Sequence, residues 1–266
     1  VPLYEAKMIH QFDHRWATYA NGRDRSELEP RDLSPAEKMD SRFAVRPRYW
    51  VAEDEVCKRL ADHGWTRSWL LGWRDVCRAT DERTVIASVI PKVGVGDKFL
   101  LMFPDKAPTL VACLLADQNS IPHDFVARQK IGGTSLKYFT KRQLTNVPPD
   151  EYSAADQELV VPRVLELTYT ADDLAPWARD LGHDGPPFVW DSDRRAVLRS
   201  ELDAFFARRY GLTRDDLRYI LDPSDVMGPD YPSETFRVLK KNEQRRFGEY
   251  RTRRLVLEAW DRLFGK

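Results

Sequence analysis

The chain has 266 residues, with 42 Lys+Arg against 42 Asp+Glu, so its formal net charge is zero and no global field argues for a polyanionic or polycationic partner. Hydrophobic residues make up 42% and charged residues 32%, a globular balance without an apolar run long enough to span a bilayer, and the length suits two domains with real cores. Cys57, Cys77 and Cys113 are odd in number and far apart, which fits neither a disulfide frame nor a Cys-x-x-Cys zinc site and points to a reducing cytoplasm.

At the N-terminus, Val1 followed by Pro2-Leu3-Tyr4 reads as mid-protein sequence, so the chain is expected to be a fragment of something longer. Residues 20–48 are polar, hold Gly22, Pro30, Pro35 and Pro47, and lack an apolar period, which predicts a long loop or insertion. From Glu53, Val56, Leu60 and Ala61 keep helical spacing until Gly64, which suits a left-handed helix stop. Three short apolar runs, "WLLGWRDV" (69–76), "TVIASVI" (84–90) and "FLLMF" (99–103), predict strands. A buried helix follows at 110–116 and a second at 120–129, stopped by Gly132-Gly133. Leu136, Phe139 and Leu144 favour one more helical turn. After Pro149 the pattern is helical: "DQELVVPRVLELTY" carries apolar residues at helical intervals and Thr170-Ala171-Asp172-Asp173 offers a capping box. "DRRAVLRSELDAFFARRYG" closes at Gly211, Thr213 caps a short helix, residues 223–232 form a loop, and "EYRTRRLVLEAWDRLF" is a final helix.

No assembled reaction centre emerges from the motifs. "LTNVPPDEY" (144–152) nearly spells the Asn-Pro-Pro-aromatic loop that holds a flipped adenine. Val147 separates Asn146 from Pro148, however, and the anionic Asp150 cannot stack on a base. Gly94-Val95-Gly96 follows a strand but leads into another β-forming run, whereas a phosphate loop must open a helix. Glu5-Ala6-Lys7 has a nuclease-like Glu-x-Lys spacing without the Asp that should precede it, and His10, His14, His63, His123 and His183 lack a metal-ligand pattern. Ser26 and Ser34 have no nucleophile-elbow glycines. Charge is nonetheless uneven: between Phe125 and Leu144 every charged residue is positive (Arg128, Lys130, Lys137, Lys141, Arg142). A second basic run holds Arg237, Lys240, Lys241, Arg245, Arg246, Arg251, Arg253 and Arg254.

Four long stretches, "PLYEAKMIHQFDHRWATY" (2–19), "WLLGWRDVCRATDERTVIASVIP" (69–91), "LLADQNSIPHDFVARQKIGGTSLKYFTKRQL" (114–144) and "FGEYRTRRLVLEAWDRL" (247–263), together resemble the C-terminal portion of large adenine-N6 DNA methyltransferases. These are the fused restriction-modification (type IIG) enzymes and related phage-defence methylases. The resemblance implies an α+β fold: a mixed α/β target recognition domain at 1–150, with the polar insertion 20–48, followed by a mainly helical domain at 151–266. It implies a partner, double-stranded DNA, and an upstream methyltransferase domain of the same chain that would use S-adenosylmethionine. This fragment would hold no cofactor and catalyse nothing itself, the parent being an adenine-specific methyltransferase with or without endonuclease activity. Candidate DNA contacts within these stretches are Lys7, His10, Arg15, Arg74, Arg78, Arg83, Lys130, Gly132, Gly133, Thr134, Lys137 and Lys141. The glycine pair is expected to turn through positive φ towards a phosphate between Lys130 and Lys137. The alternative function is a protein-interaction scaffold in a phage-defence complex, its basic helices docking on acidic partners.

Overall fold

The computed structural model describes residues 1–20, 28–232 and 234–265. Helix accounts for 49% and strand, in small sheets, for 12%, so the fold is of the mixed α+β class expected. In chain order the elements are β1 (Pro2–Tyr4), β2 (Ala17–Thr18), β3 (Arg31–Asp32), α1 (Pro35–Met39), β4 (Tyr49–Trp50), α2 (Glu53–Asp62), β5 (Trp69–Arg74), β6 (Ala87–Pro91), β7 (Gly94–Val95), β8 (Phe99–Met102) and α3 (Pro108–Asn119). They continue with α4 (Ile121–Lys130), α5 (Tyr138–Lys141), α6 (Ala154–Thr168), α7 (Ala175–Asp180), α8 (Ser192–Arg209), α9 (Arg214–Leu221), α10 (Ser224–Met227), α11 (Arg237–Phe247) and α12 (Arg251–Phe264). Among the described residues no helix is long and apolar enough to cross a membrane.

Two compact units form, each drawn from three separated segments: 1–76, 86–115 and 157–191 in the first, and 77–85, 116–156 and 192–266 in the second. A single cut near Pro149 therefore does not divide the chain as its contacts do. Residues 77–85 and 116–149 belong with the C-terminal helices, and 157–191 belong with the N-terminal strands.

The first unit is built on the antiparallel sheet β6-β5-β8, in which Leu71 stands opposite Val89 on one side and Met102 on the other. Trp69, Leu70, Leu71 and Trp73 are all buried, which explains why this central strand reads as a continuous apolar run rather than an alternating one. Gly72 is required there because a Cβ would lie 2.6 Å from the Leu100 carbonyl oxygen. The Trp69 indole N–H donates to Asp180 Oδ2 at 2.7 Å, and its ring meets Trp177 edge-on. A second sheet has the order β4-β1-β7, with β7 parallel to β1. The described part of the expected loop 20–48 contains β3 and α1; residues 21–27, with Gly22 and Ser26, lie outside the described residues. A capping box between Ser34 and Glu37 starts α1, and Pro35 occupies its first position. One turn of helix is too short to show an apolar period.

In the second unit α8 packs on α12 and α4 around Ala204, Leu217, Ile220, Phe236, Val256, Leu257 and Trp260. Burying each large apolar side chain of this kind contributes roughly 1.5–3 kcal/mol. Gly211 closes the stretch after α8 at φ 75°, and Thr213 caps α9 with Asp216 completing a capping box. The expected box at Thr170 does not form. Its place is taken by a 3-10 turn at Asp172–Leu174 preceded by Ala171, and the Thr170 carbonyl is used to bind Arg15.

Candidate nucleic-acid interface

In the first unit the family-like stretch around residues 7–15 folds inward. His10 and Asp13 exchange backbone hydrogen bonds across a tight turn that holds Phe12 at φ 58°, a conformation rare for a bulky residue. Arg15 is fully buried. Its Nη1 donates to the Asp40 and Phe43 carbonyls at 2.8 and 3.1 Å, and Nη2 to the Lys38 and Thr170 carbonyls at 3.0 and 2.8 Å. A guanidinium engaged in this way cannot meet a phosphate, so Arg15 is a structural clamp rather than a DNA contact. Asp13 holds Lys38 at 2.5 Å, and His14 meets Asp173 at 2.8 Å. The His10 ring packs on Trp16 with centroids 4.5 Å apart. Lys7 donates to the Leu28 carbonyl and pairs with Glu29 at 3.3 Å. Arg74 is half-buried at the end of β5, where its backbone N–H donates to Ile86.

In the second unit burial removes two further candidates. Arg83 sits 3.7 Å from Asp124 and 4.0 Å from Asp203 and donates to the Asn119 carbonyl. Lys141 is buried with its Nζ 3.4 Å from His123 Nε2. Burial pushes the Lys141 ammonium down to about 7, against the pull of Asp117 and Asp124. The near-miss loop closes over the same cluster: Val147 N–H donates to Asp117 Oδ2, and the Thr145 carbonyl is bound by His123 Nδ1 and by the Tyr210 hydroxyl. In this chain, then, the backbone at Thr145 and Val147 is tied into a buried polar network.

The turn at 78–82 carries one of the candidates that stay at the surface, Arg78. Arg128, on α4, donates to the carbonyls of Ala79, Asp81, Glu82 and Thr235, pairs with Asp124 at 3.2 Å, and lies over the Phe236 ring at 4.4 Å. Asn242 of α11 donates to Glu82 at 2.5 Å, and Cys77 N–H donates to the Thr134 carbonyl at 3.0 Å. The turn is thus held between α4, α11 and the segment after α4. Arg78 is exposed on it, its backbone N–H bonded to Asp81; its guanidinium has no carboxylate partner within 4.0 Å among the described residues. Lys130 and Arg142 are exposed in the same state, Thr134 is exposed, and Lys137 is half-buried at the start of α5. Tyr138 and Phe139, which follow Lys137 in the chain, are 44% and 70% exposed.

The glycine expectation is corrected in part. Neither Gly132 nor Gly133 adopts positive φ: α4 ends instead in extended backbone at Ile131 (φ −91°, ψ 107°). Both glycines are exposed, and nothing lies within 4 Å of where a Cβ would stand, so the segment leaves room for a ligand's close approach without demanding it.

Comparisons with known protein families, curated proteins and solved structures return no match.

The second basic run separates into two classes. On α12, Arg251 pairs with Asp193, Arg253 with Asp225, Arg254 with Glu249 and Glu258, and Arg262 with Glu201. Lys240 is held by Asp222 and Glu234. On α11, by contrast, Arg237, Lys241, Arg245 and Arg246 are exposed and have no carboxylate within 4.0 Å among the described residues. Sequence reasoning noted this run but placed no helix there, because α11 buries only Leu239 and so lacks an apolar stripe. The signal that could have found it is the spacing of Arg237, Lys241 and Arg245, four residues apart and therefore on one helical face.

Proposed function

We propose that the chain is a DNA target recognition segment of an adenine-N6 DNA methyltransferase of the restriction-modification or phage-defence type. The observation that carries the reading is the sorting of cations in the second unit. Arginines and lysines that serve the fold are buried on carbonyls and carboxylates, whereas Arg78, Lys130 and Arg142 stand at the surface without carboxylate partners among the described residues. Cations of this kind neutralise phosphates and set the register of the protein on a duplex. Methyl transfer itself, with S-adenosylmethionine, belongs to the domain upstream in the parent enzyme.

Electrophoretic titration with duplex DNA at about 50 and 200 mM salt tests the proposal, because each phosphate contact adds about 0.9 to the slope of log affinity on log salt. Binding that weakens steeply with salt supports it; no binding at the lower concentration sinks it. A second reading, a protein-interaction scaffold, is favoured by Phe139, whose 70% exposure suits an apolar partner. Phe139→Ser would then abolish partner capture and leave DNA affinity unchanged.

A further inference from the structure

We infer that α11 is a phosphate-backbone rail, a second and sequence-independent contact to the DNA, distinct from the turn that carries Arg78. The inference rests on the DNA-binding reading and adds an element to it.

Arg237, Lys241 and Arg245 follow one another at just over one turn of helix, about 6 Å of rise apart, so they form an exposed row that slants across one face. Within the fold this row is unfavourable. Like charges four apart repel, and the helix begins with Arg237 and has no acid in its first turn, where its own dipole is already positive. Phe236 supplies no side-chain cap to the open N–H groups. Acidic residues close by are engaged elsewhere: Glu243 accepts from the Thr252 N–H and hydroxyl, Glu234 and Asp222 hold Lys240, and Glu82 accepts from Asn242. Among the described residues Arg245 donates to the neutral Asn242 oxygen alone, at 3.3 Å. On α12 the arginines are neutralised one by one, so the same stretch of chain leaves charge uncompensated on one helix alone.

A polyanion with evenly spaced charges is the partner that turns this repulsion into binding. The phosphodiester backbone has that regularity, and a helix N-terminus adds N–H donors for the phosphate at the Arg237 end. A cleft of about 480 Å³ whose lining includes Ala79, Thr80, Arg237 and Lys240 lies where the 78–82 turn meets α11. The Arg237 end of the row is therefore beside the turn that carries Arg78, and one strand could be followed from the turn along the helix.

The test uses the full chain and a duplex of arbitrary sequence. The triple variant R237A/K241A/R245A should lower the salt slope by about 2.7, three phosphates at about 0.9 each, equally for every duplex. The charge-retaining R237K/K241R/R245K should keep the slope, and R254A, which removes an arginine already paired with Glu249, should leave it unchanged. Circular dichroism of the triple variant should show an intact fold, since the three side chains are exposed. An unchanged slope in the triple variant, with wild type binding normally, overturns the rail and leaves the DNA reading standing. Failure of wild type to bind any duplex at low salt overturns both.

Discussion

Lys141 Nζ lies 3.4 Å from His123 Nε2, so two basic side chains face each other in a buried site. The Tyr210 hydroxyl donates to Asp117 Oδ1 at 2.7 Å in the same cluster. Burial lowers the Lys141 ammonium to about 7 and raises the Asp117 carboxyl to about 6. It also holds the His123 imidazole well below its ordinary range, with the Lys141 charge acting in the same direction.

These shifts give the stability a definite dependence on pH. Above about 7 and below the ordinary lysine range near 10.4, the unfolded chain carries the Lys141 proton and the folded chain does not, so stability rises with pH. Asp117 works in the opposite sense at lower pH: its folded carboxyl keeps its proton up to about 6, so its contribution falls as pH rises towards that value. Urea unfolding at pH values of about 7.5 and 9 should show wild type gaining stability by at most about 1.4 kcal/mol per pH unit from this group, and Lys141→Met should remove that gain. Equal pH slopes in the two proteins would mean that Lys141 is not held in this state.

Arg128 joins the 78–82 turn to α4 and to Thr235 through four carbonyls and the buried Asp124 carboxylate. Arg128→Met leaves that carboxylate with less compensation and several carbonyls unpaired, and should destabilise the second unit by about 3–5 kcal/mol. Arg128→Lys should rescue little, because a point charge cannot span the set that the planar fork reaches. A loss below about 1 kcal/mol in denaturant titration, the range of an exposed ion pair, would contradict this assignment.

Arg15 tests the separation of structural from binding cations. Arg15→Met should cost about 3 kcal/mol or more, since the Asp40, Phe43, Lys38 and Thr170 carbonyls lose their donor. Whatever fraction stays folded should bind duplex DNA with an unaltered salt slope. A reduced slope with native stability would return Arg15 to the interface.

The contrast between what was legible and what was not follows from the same residues. Trp69 to Trp73 and the helix closed by Gly211 announce themselves because their apolar or capping chemistry is local. Burial of Arg15, Arg83 and Lys141 is not local: a cation enclosed by residues far along the chain has the same letter as one in solvent. The interleaved units escape for the same reason, since the pairing of Thr84 and Val85 N–H groups with Asp124 is a contact across 40 and 39 residues. α11 is not legible in the sequence because a helix that buries only Leu239 carries no period to read. The Gly132-Gly133 pair misleads differently. Glycine permits positive φ without requiring it, and here the helix stops in extended backbone.

That the exposed cations Arg78 and Lys130 meet DNA phosphates is tested most directly by the salt dependence of duplex binding in R78A/K130A against wild type. Both side chains are exposed and serve no contact of the fold among the described residues, so the variant should fold normally. The account predicts a slope lower by about 1.8, two phosphates at about 0.9 each, with the same loss for all sequences. Identical slopes and affinities in the two proteins would contradict it.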